Sequence, residues 1–189
     1  MARDTGGETE LKEILASEIV DKIQKSEPVE YDHVIIKGEL NSSKDISCPI
    51  KIVNSQFHSK VNFNCLFRGL ANFSDTTFKE HADFSQAYFS ECAYFKKTNF
   101  NMGADFKKAN LYKANFAEAN FGKLADFRQA TFGTPAGRTD FKGATFRDAD
   151  FRETNFNKVS FKGTNFRFVH FGNAFFGRDA DFSKANFSL

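Results

Sequence analysis

The chain has 189 residues, of which 26 are phenylalanine and none is tryptophan, and its formal net charge is +2. No stretch approaches the ~18 apolar residues of a membrane span, so no contact with a membrane is expected. The three widely spaced cysteines (Cys48, Cys65 and Cys92) fit neither a disulfide framework nor a zinc site. With no signal peptide in the polar N-terminus, we expect a reduced, cytoplasmic protein without metal or cofactor.

Residues 1–30 are predicted to form an amphipathic helix that caps the rest of the chain. The segment from Thr9 to Ser26 has helical periodicity, and Glu27-Pro28 would end the helix. The residues that share its apolar face are Leu11, Ile14, Leu15, Ile19 and Ile23. This stripe needs a hydrophobic partner, so we expect the helix to cover the open end of the structure that follows.

Residues 31–56 are predicted to form an opening coil with aliphatic core residues, and residues 57–189 a long run of five-residue repeats. The apolar residues of the opening coil are Val34, Ile35, Ile36, Leu40, Ile46, Ile50 and Ile52. In the repeats, the unit is a small residue, usually a polar residue, a phenylalanine and two mostly polar residues, as in ADFSQ, AYFKK and ANFAE.

A period of five fits neither an α-helix nor a long strand, and it predicts a chain that turns a corner every five residues. Side chains alternate along extended backbone, so the phenylalanine and the small residue two positions before it would both point inward. Four such sides close a coil of about 20 residues, and coils stack ~4.8 Å apart. The repeat therefore predicts an all-β solenoid, a four-sided β-helix of about seven coils and on the order of 35 Å long.

The spacing of the repeats allows the sides to be numbered, with Phe57 on side 1 and Phe73 on side 4. Extra residues fall only before side 2 or side 4. On side 3 of the first repeat coil, the inward residue is either Phe67 or Arg68. The largest insertion is predicted to be a corner loop, because it contains turn-forming residues: Gly133, Thr134, Pro135, Ala136, Gly137 and Arg138.

A small residue, Asp or Asn, and phenylalanine recur as a tripeptide, for example at Ala71-Asn72-Phe73, Ala82-Asp83-Phe84, Ala104-Asp105-Phe106 and Ala114-Asn115-Phe116. On these motifs the chain resembles the pentapeptide-repeat family, from about Ile46 to Phe187. The resemblance implies a right-handed quadrilateral β-helix, often capped by a helix and mostly without enzymatic activity. Many members have leucine at the central position, where this chain has phenylalanine.

No catalytic motif is present in the sequence, and the four histidines lie in different coils or at corners. Side 2 is predicted to carry a column of carboxylates: Asp83, Asp105, Asp126 and Asp150. Stacked carboxylates suit a cation, but the favoured interpretation is that they are solvated or accept hydrogen bonds from the backbone at the corners. The basic residues that often follow the phenylalanine are interpreted as keeping a long β surface soluble.

Three surfaces are candidates for binding. The first is a partner face on side 3, where few charges occur and the outward aromatic residues are Tyr88, Tyr112 and Phe175. The second is the corner loop Gly133–Arg138. The third is the C-terminal coil, where two copies of the chain would join end to end through Phe176, Phe182 and Phe187.

The sequence therefore favours a non-catalytic repeat scaffold that binds an unknown protein partner, with homodimerisation through the C-terminal coil as a further expectation. The alternative, which the family resemblance implies, is a modulator of a nucleic-acid enzyme such as a topoisomerase, acting as a rod-shaped DNA mimic. Mimicry needs an acidic rod, whereas from Ile46 onward the chain has 20 basic and 13 acidic residues, a balance of +7. Mimicry is therefore disfavoured, and direct binding of nucleic acid is not expected.

Overall fold

The computed structural model describes residues 11–42, 44–134 and 137–188. Within these ranges the chain winds into a right-handed quadrilateral β-helix, with all strands parallel and one α-helix near the N-terminus. Nine strand segments stack along side 1, so the rod makes about eight turns. The predicted all-β solenoid is confirmed. The sequence predicted about seven coils, counted from the opening coil. The structure has about eight because one further turn precedes the opening coil.

Each side of the rod is built from short strands that pair with the strands of neighbouring coils. Side 1 comprises Lys12–Leu15, Val34–Lys37, Gln56–Phe57, Thr77–Phe78, Asn99–Phe100, Asn165–Phe166 and Asn186–Phe187. Side 2 comprises Leu40–Asn41, Val61–Asn62, Ala82–Asp83, Ala104–Asp105 and Val169–His170. Two longer strands run through side 1 and around the corner into side 2, namely Asn120–Asp126 and Thr145–Asp150. Side 3 comprises Leu66–Phe67, Tyr88–Phe89, Asn110–Leu111, Thr131–Phe132, Asn155–Phe156 and Phe175–Phe176. Side 4 comprises Val29–Asp32, Ile50–Val53, Ala71–Asn72, Ala93–Tyr94, Ala114–Asn115, Thr139–Asp140 and Val159–Ser160.

From Phe57 onward the interior consists of four columns of inward residues, one for each side, and all of them are phenylalanine except Leu111 on side 3. Rings in consecutive coils stack with centroids 4.5–5.7 Å apart, and the small residue two positions before each ring is buried through most of the rod. On side 3, Phe67 is buried and stacks on Phe89 at 4.5 Å. Phe67 is therefore the inward residue, and Arg68 is not, which decides the choice that the sequence left open.

The corners that follow sides 2 and 4 are tight turns. In one of them the amide of Ala87 donates to the carbonyl oxygen of Phe84 at 3.0 Å, and Gln86 between them has a φ of 59°. A positive φ at the third residue is the type II pattern. The carboxylate of Asp83 accepts a hydrogen bond from the amide of Ser85 at 2.8 Å, which holds the turn in place.

These tight turns explain where insertions occur. An extra residue in such a turn would break its closing hydrogen bond, so insertions are confined to the corners after sides 1 and 3. The strand Asn120–Asp126 contains a bulge between Phe121 and Leu124, at a corner after side 1. The corner loop Gly133–Arg138 lies at a corner after side 3. The predicted position of the insertions, before side 2 or side 4, is confirmed.

The N-terminal segment differs from the predicted single helix over Thr9–Ser26. Lys12–Leu15 is a β-strand on side 1, and the helix is limited to Ala16–Lys25. Pairing with the edge of side 1 satisfies the backbone of these four residues, and this tertiary partner overrides the local helical periodicity. The helix buries Ile19 and Ile23 in the core of the first coils. The first ten residues lie outside the described part of the chain. None of the helices in the described ranges has the length and apolar character needed to cross a bilayer.

Candidate interaction surfaces

Side 3 presents an uncharged column of outward residues that precede the inward ones. In chain order its members are Leu66, Tyr88, Asn110, Thr131, Asn155 and Phe175. Tyr88 is 41% exposed, and its ring meets that of Tyr112 edge-on at a centroid distance of 5.9 Å. The Asn110 amide donates to the Tyr112 hydroxyl at 2.9 Å, while the carbonyl oxygen of Asn110 is buried with no hydrogen-bond partner among the described residues. The two tyrosines therefore form a fixed aromatic surface.

Phe175 lies on the same side, as predicted, but away from the tyrosine pair. It belongs to the column that contains Tyr88, four coil steps further along the rod. At ~4.8 Å per step the two residues are about 19 Å apart. The structure thus brings together two of the three predicted aromatic residues and leaves Phe175 as a separate exposed ring.

The corner loop adjoins the tyrosine pair. The backbones of Thr134 and Gly137 exchange two hydrogen bonds, of 2.8 and 3.1 Å, which close the loop. A Cβ atom on Gly137 would lie 3.2 Å from the carbonyl oxygen of Tyr112, so the loop rests against the backbone of that residue. Between them, Pro135 and Ala136 lie outside the described residues.

Both ends of the loop are fixed by the coils that follow. Gly133 has a φ of 69°, and a Cβ atom there would lie 2.5 Å from the carbonyl oxygen of Lys158. This position therefore requires glycine. At the other end, the guanidinium of Arg138 lies 3.7 Å from the carboxylate of Asp181. The loop is consequently anchored on the rod at both ends.

The residues of the predicted dimer end form the last layer of the core that the structure describes. Phe176, Phe182 and Phe187 each stack at 5.0 Å on the ring of the preceding coil. Phe187 is 56% exposed, and the other two are partly exposed. These three rings therefore present apolar surface at this end of the described rod.

The aspartates of side 2 are bonded within the fold. Asp105 accepts from the Lys107 amide at 2.7 Å, and Asp150 accepts from the amide and the guanidinium of Arg152 at 3.0 and 2.9 Å. Burial and the charge of Asp126 raise the pKa of Asp105. Burial opposes ionisation of Asp150, but the hydrogen bonds and charge of Arg152 lower its pKa overall. These carboxylates therefore stabilise the corner turns through hydrogen bonds. Among the described residues, no cluster of His, Cys, Asp and Glu suited to a metal ion occurs.

The two buried cysteines, Cys48 and Cys65, have thiols of low reactivity. Burial raises the pKa of Cys65 to about 12, with a contribution from the charge of Asp45. Burial also raises the pKa of Cys48. The thiolate is the reactive form of cysteine, so these two residues are poor nucleophiles at neutral pH.

Sequence reasoning missed one surface, the corner between sides 1 and 2. The large apolar side chains exposed there are Met102, Leu124 and Phe168. Met102 and Leu124 lie in six-residue spacings that contain an extra corner residue, and Phe168 is the last residue of a regular five-residue unit, a position that is mostly polar. A signal was present in the sequence, because an apolar residue at any of these outward positions has no place in the core.

The geometry defines this chain as a parallel β-helix whose coils consist of five-residue units. A family model of pentapeptide repeats, in nine copies, matches residues 63–110, 95–137 and 141–186. These segments cover more than half of the chain, which therefore belongs to the pentapeptide-repeat family. The resemblance seen in the recurring tripeptides is confirmed, and the matching model describes structural repeats rather than a catalytic domain.

Among solved structures, the chain is similar to HetL, described as a pentapeptide repeat protein involved in heterocyst differentiation regulation, from the cyanobacterium Nostoc sp. strain PCC 7120. The two are 15% identical, the alignment covers 91% of this chain and 96% of HetL, and the TM-score is 0.23. No curated protein sequence matches the chain.

Proposed function

We propose that this protein is a non-catalytic scaffold that binds a protein partner through side 3, at a surface centred on Tyr88 and Tyr112. The observation that supports the proposal is an edge-on tyrosine pair, partly exposed on an uncharged face beside an anchored loop. Tyrosine offers a large, rigid contact area with a polar tip and is enriched at interfaces.

The fold supports a scaffold role because the outer positions are independent of the core. Each coil contacts only its neighbours, and the inward residues alone determine how the coils stack. The groups most suited to chemistry, the side 2 carboxylates and the Cys65 thiol, are engaged in turns or held protonated. Three unpaired thiols are consistent with the reducing, cytoplasmic setting that we include in the proposal.

The proposal is tested by affinity purification with Tyr88→Ser/Tyr112→Ser against the unaltered protein, followed by mass spectrometry. The matched control is Tyr94→Ser, which removes a partly exposed tyrosine from side 4. We expect one or more specific partners to be lost with the double variant and kept with the control. A titration of the purified partner should then show at least tenfold weaker binding. Unchanged recovery of every partner by the double variant would contradict the proposal.

DNA mimicry gains no support from the charge distribution on side 2. The guanidinium of Arg128 contacts the carboxylate of Asp126 and lies 3.7 Å from that of Asp150. Arg152 pairs with Asp150 at 2.6 Å. The aspartate column is thus interrupted by positive charges and does not present the continuous acidic stripe that mimicry of a polyanion requires.

Association of two copies through the layer of Phe176, Phe182 and Phe187 is a further part of the proposal. The exposed ring of Phe187 and its partly exposed neighbours support it, because a second identical layer would cover them. The contact is small, so we expect weak association. Sedimentation over a concentration series should show a dimer that Phe187→Lys abolishes, and a monomer at high micromolar concentration in both proteins would reject this part.

A further inference from the structure

A basic and apolar surface lies at the corner between sides 1 and 2, away from side 3. It consists of Lys123, Leu124, Arg147, Arg167 and Phe168, and is called the basic corner below. Three adjoining depressions, of about 450, 270 and 600 Å³, are each lined by two or more of these residues. The surface therefore contains shallow depressions.

The register of the coils places two arginines of the basic corner one above the other. Phe146 pairs with Phe166, so the residues that follow them, Arg147 and Arg167, are one coil step apart. Within the described residues, neither arginine nor Lys123 has a carboxylate within 4.0 Å. The arginines of side 2, by contrast, pair with aspartates of their own side. Three positive charges are thus available to a ligand.

The apolar part of the basic corner lies beside these charges. Leu124 and Phe168 occupy the same corner column, two coil steps apart with Asp148 between them, and are 54% and 49% exposed. The guanidinium carbon of Arg167 lies 5.5 Å from the centroid of the Phe168 ring. This cation–π contact keeps the positive charge of Arg167 next to the apolar surface. A ligand can therefore make an ion pair and an apolar contact at adjacent positions.

Side 1 supplies the uncharged floor of the largest depression. Its polar lining includes Asn120, Thr145 and Asn165, whose side chains offer donors and acceptors. At Gly122 a Cβ atom would lie 3.1 Å from the carbonyl oxygen of Asn101, a contact tight enough to favour glycine. The absence of a side chain at Gly122 keeps the depression open beside Arg147.

We infer that the basic corner binds a short acidic segment of a protein that carries an apolar residue next to its carboxylates. The carboxylates pair with Arg147 and Arg167, which present guanidinium groups suited to bidentate contact. The apolar side chain covers Leu124 and Phe168, whose exposure is otherwise unfavourable. Two coil steps span about 10 Å, the length of roughly three residues of extended peptide.

The same residues argue against nucleic acid as the ligand. Three cations over two coil steps are few compared with the roughly 6–10 phosphate contacts of strongly salt-dependent DNA binding. The carboxylate of Asp148 also lines the surface and lowers its net positive charge, so the surface suits a ligand with few negative charges better than a polyanion. One face of the Phe168 ring is approached by Arg167, which leaves less of the ring for stacking on a base.

The test uses the purified full chain and an array of seven-residue peptides in which leucine or phenylalanine is flanked by glutamate or aspartate. A second set has lysine in place of the acidic residues, and a third has serine in place of the apolar residue. Labelled peptides that bind are titrated by fluorescence anisotropy, alongside a labelled 12-nucleotide oligothymidylate. We expect binding of the acidic and apolar set only.

The variants then assign the contacts. Arg147→Glu/Arg167→Glu should weaken binding of the acidic peptides at least tenfold, and Arg147→Gln/Arg167→Gln provides the milder substitution if the reversal destabilises the fold. Phe168→Ser should reduce the preference for apolar over serine peptides while keeping the preference for acidic ones. The control is Lys142→Glu/Lys162→Glu, an exposed basic pair one coil step apart after side 4, which should leave binding unchanged.

Several results would overturn the inference. They are failure of every acidic peptide to bind, binding that survives both arginine double variants, and equal loss with the lysine control. Binding of the oligothymidylate in place of the peptides, with loss in the arginine variants, would identify the basic corner as a nucleic-acid surface instead. None of these outcomes depends on the tyrosine pair, so they are separable from the test of side 3.

Discussion

Replacing Phe106 by alanine measures how much the stacked rings stabilise the rod. Phe106 is fully buried and stacks between Phe84 at 5.0 Å and Phe127 at 5.1 Å. Three rings of other sides approach it at 5.4, 5.5 and 5.9 Å. The substitution therefore opens a cavity bounded by five aromatic rings, each held in place by its own coil.

The size of the effect follows from two contributions. Burial of the ring itself stabilises the fold by about 1.5–3 kcal/mol. The cavity adds to the loss, because the coils above and below are fixed by backbone hydrogen bonds at ~4.8 Å spacing and cannot close the gap. We expect Phe106→Ala to lower the free energy of unfolding by about 3–5 kcal/mol, a large part of the ~5–15 kcal/mol typical of a folded protein.

The assay is urea denaturation followed by circular dichroism, with two controls. Lys107→Ala should change the free energy of unfolding by less than about 0.5 kcal/mol, because the side chain points outward and the backbone bond to Asp105 is kept. Phe187→Ala removes a ring that is half exposed and stacked on one side only, so it should cost much less than Phe106→Ala. Equal losses for Phe106→Ala and Lys107→Ala would refute the inward and outward assignment.

Three further predictions concern the carboxylates and the N-terminal helix. Burial raises the folded-state pKa of Asp105 above its ordinary value of 3.8, so its ionisation costs stability as pH rises through that range. Asp105→Asn keeps an oxygen for the turn and should be more stable than the unaltered protein at pH 7 but not at pH 3, as measured by thermal unfolding. The pKa of Asp150 is lowered, so its contribution is present above the ordinary value and is lost as pH falls through the folded value. Asp150→Asn should therefore cost about 1 kcal/mol at pH 7, in the same assay, and progressively less in acid, and no loss at pH 7 would contradict the role of Arg152. Ile19→Ala should cost about 2–4 kcal/mol in urea denaturation by leaving a cavity under the helix, and a neutral result would mean that the helix does not cover the core.

The sequence alone was sufficient to predict most of the fold because a strict repeat has few solutions. A small residue and a phenylalanine recur two positions apart, and only one arrangement of the chain points both of them inward on every side. The positions of the extra residues then identify which side is which. The choice between Phe67 and Arg68 was the exception. It depended on whether the Phe67 ring could stack on Phe89, which is a contact between residues 22 positions apart.

The N-terminal segment shows where local pattern was insufficient. Leu11 to Ile23 has helical periodicity, yet Lys12–Leu15 pairs as a strand with the edge of side 1. Periodicity describes a face of apolar residues, whereas the backbone of a segment at a sheet edge is stabilised by hydrogen bonds to a distant strand. That partner is absent from any local window of sequence.

For the candidate surfaces too, the sequence predicted some features and the tertiary structure decided others. The tyrosines, the loop and the last phenylalanines could be placed on sides by counting repeats, because their positions follow from the period. Counting did not show that the ring of Tyr88 meets the ring of Tyr112 edge-on. The sequence by itself determined the inward residues, because the core repeats. The tertiary structure alone decided which outward residues become neighbours, because that depends on the register between coils and on bulges such as the one before Leu124.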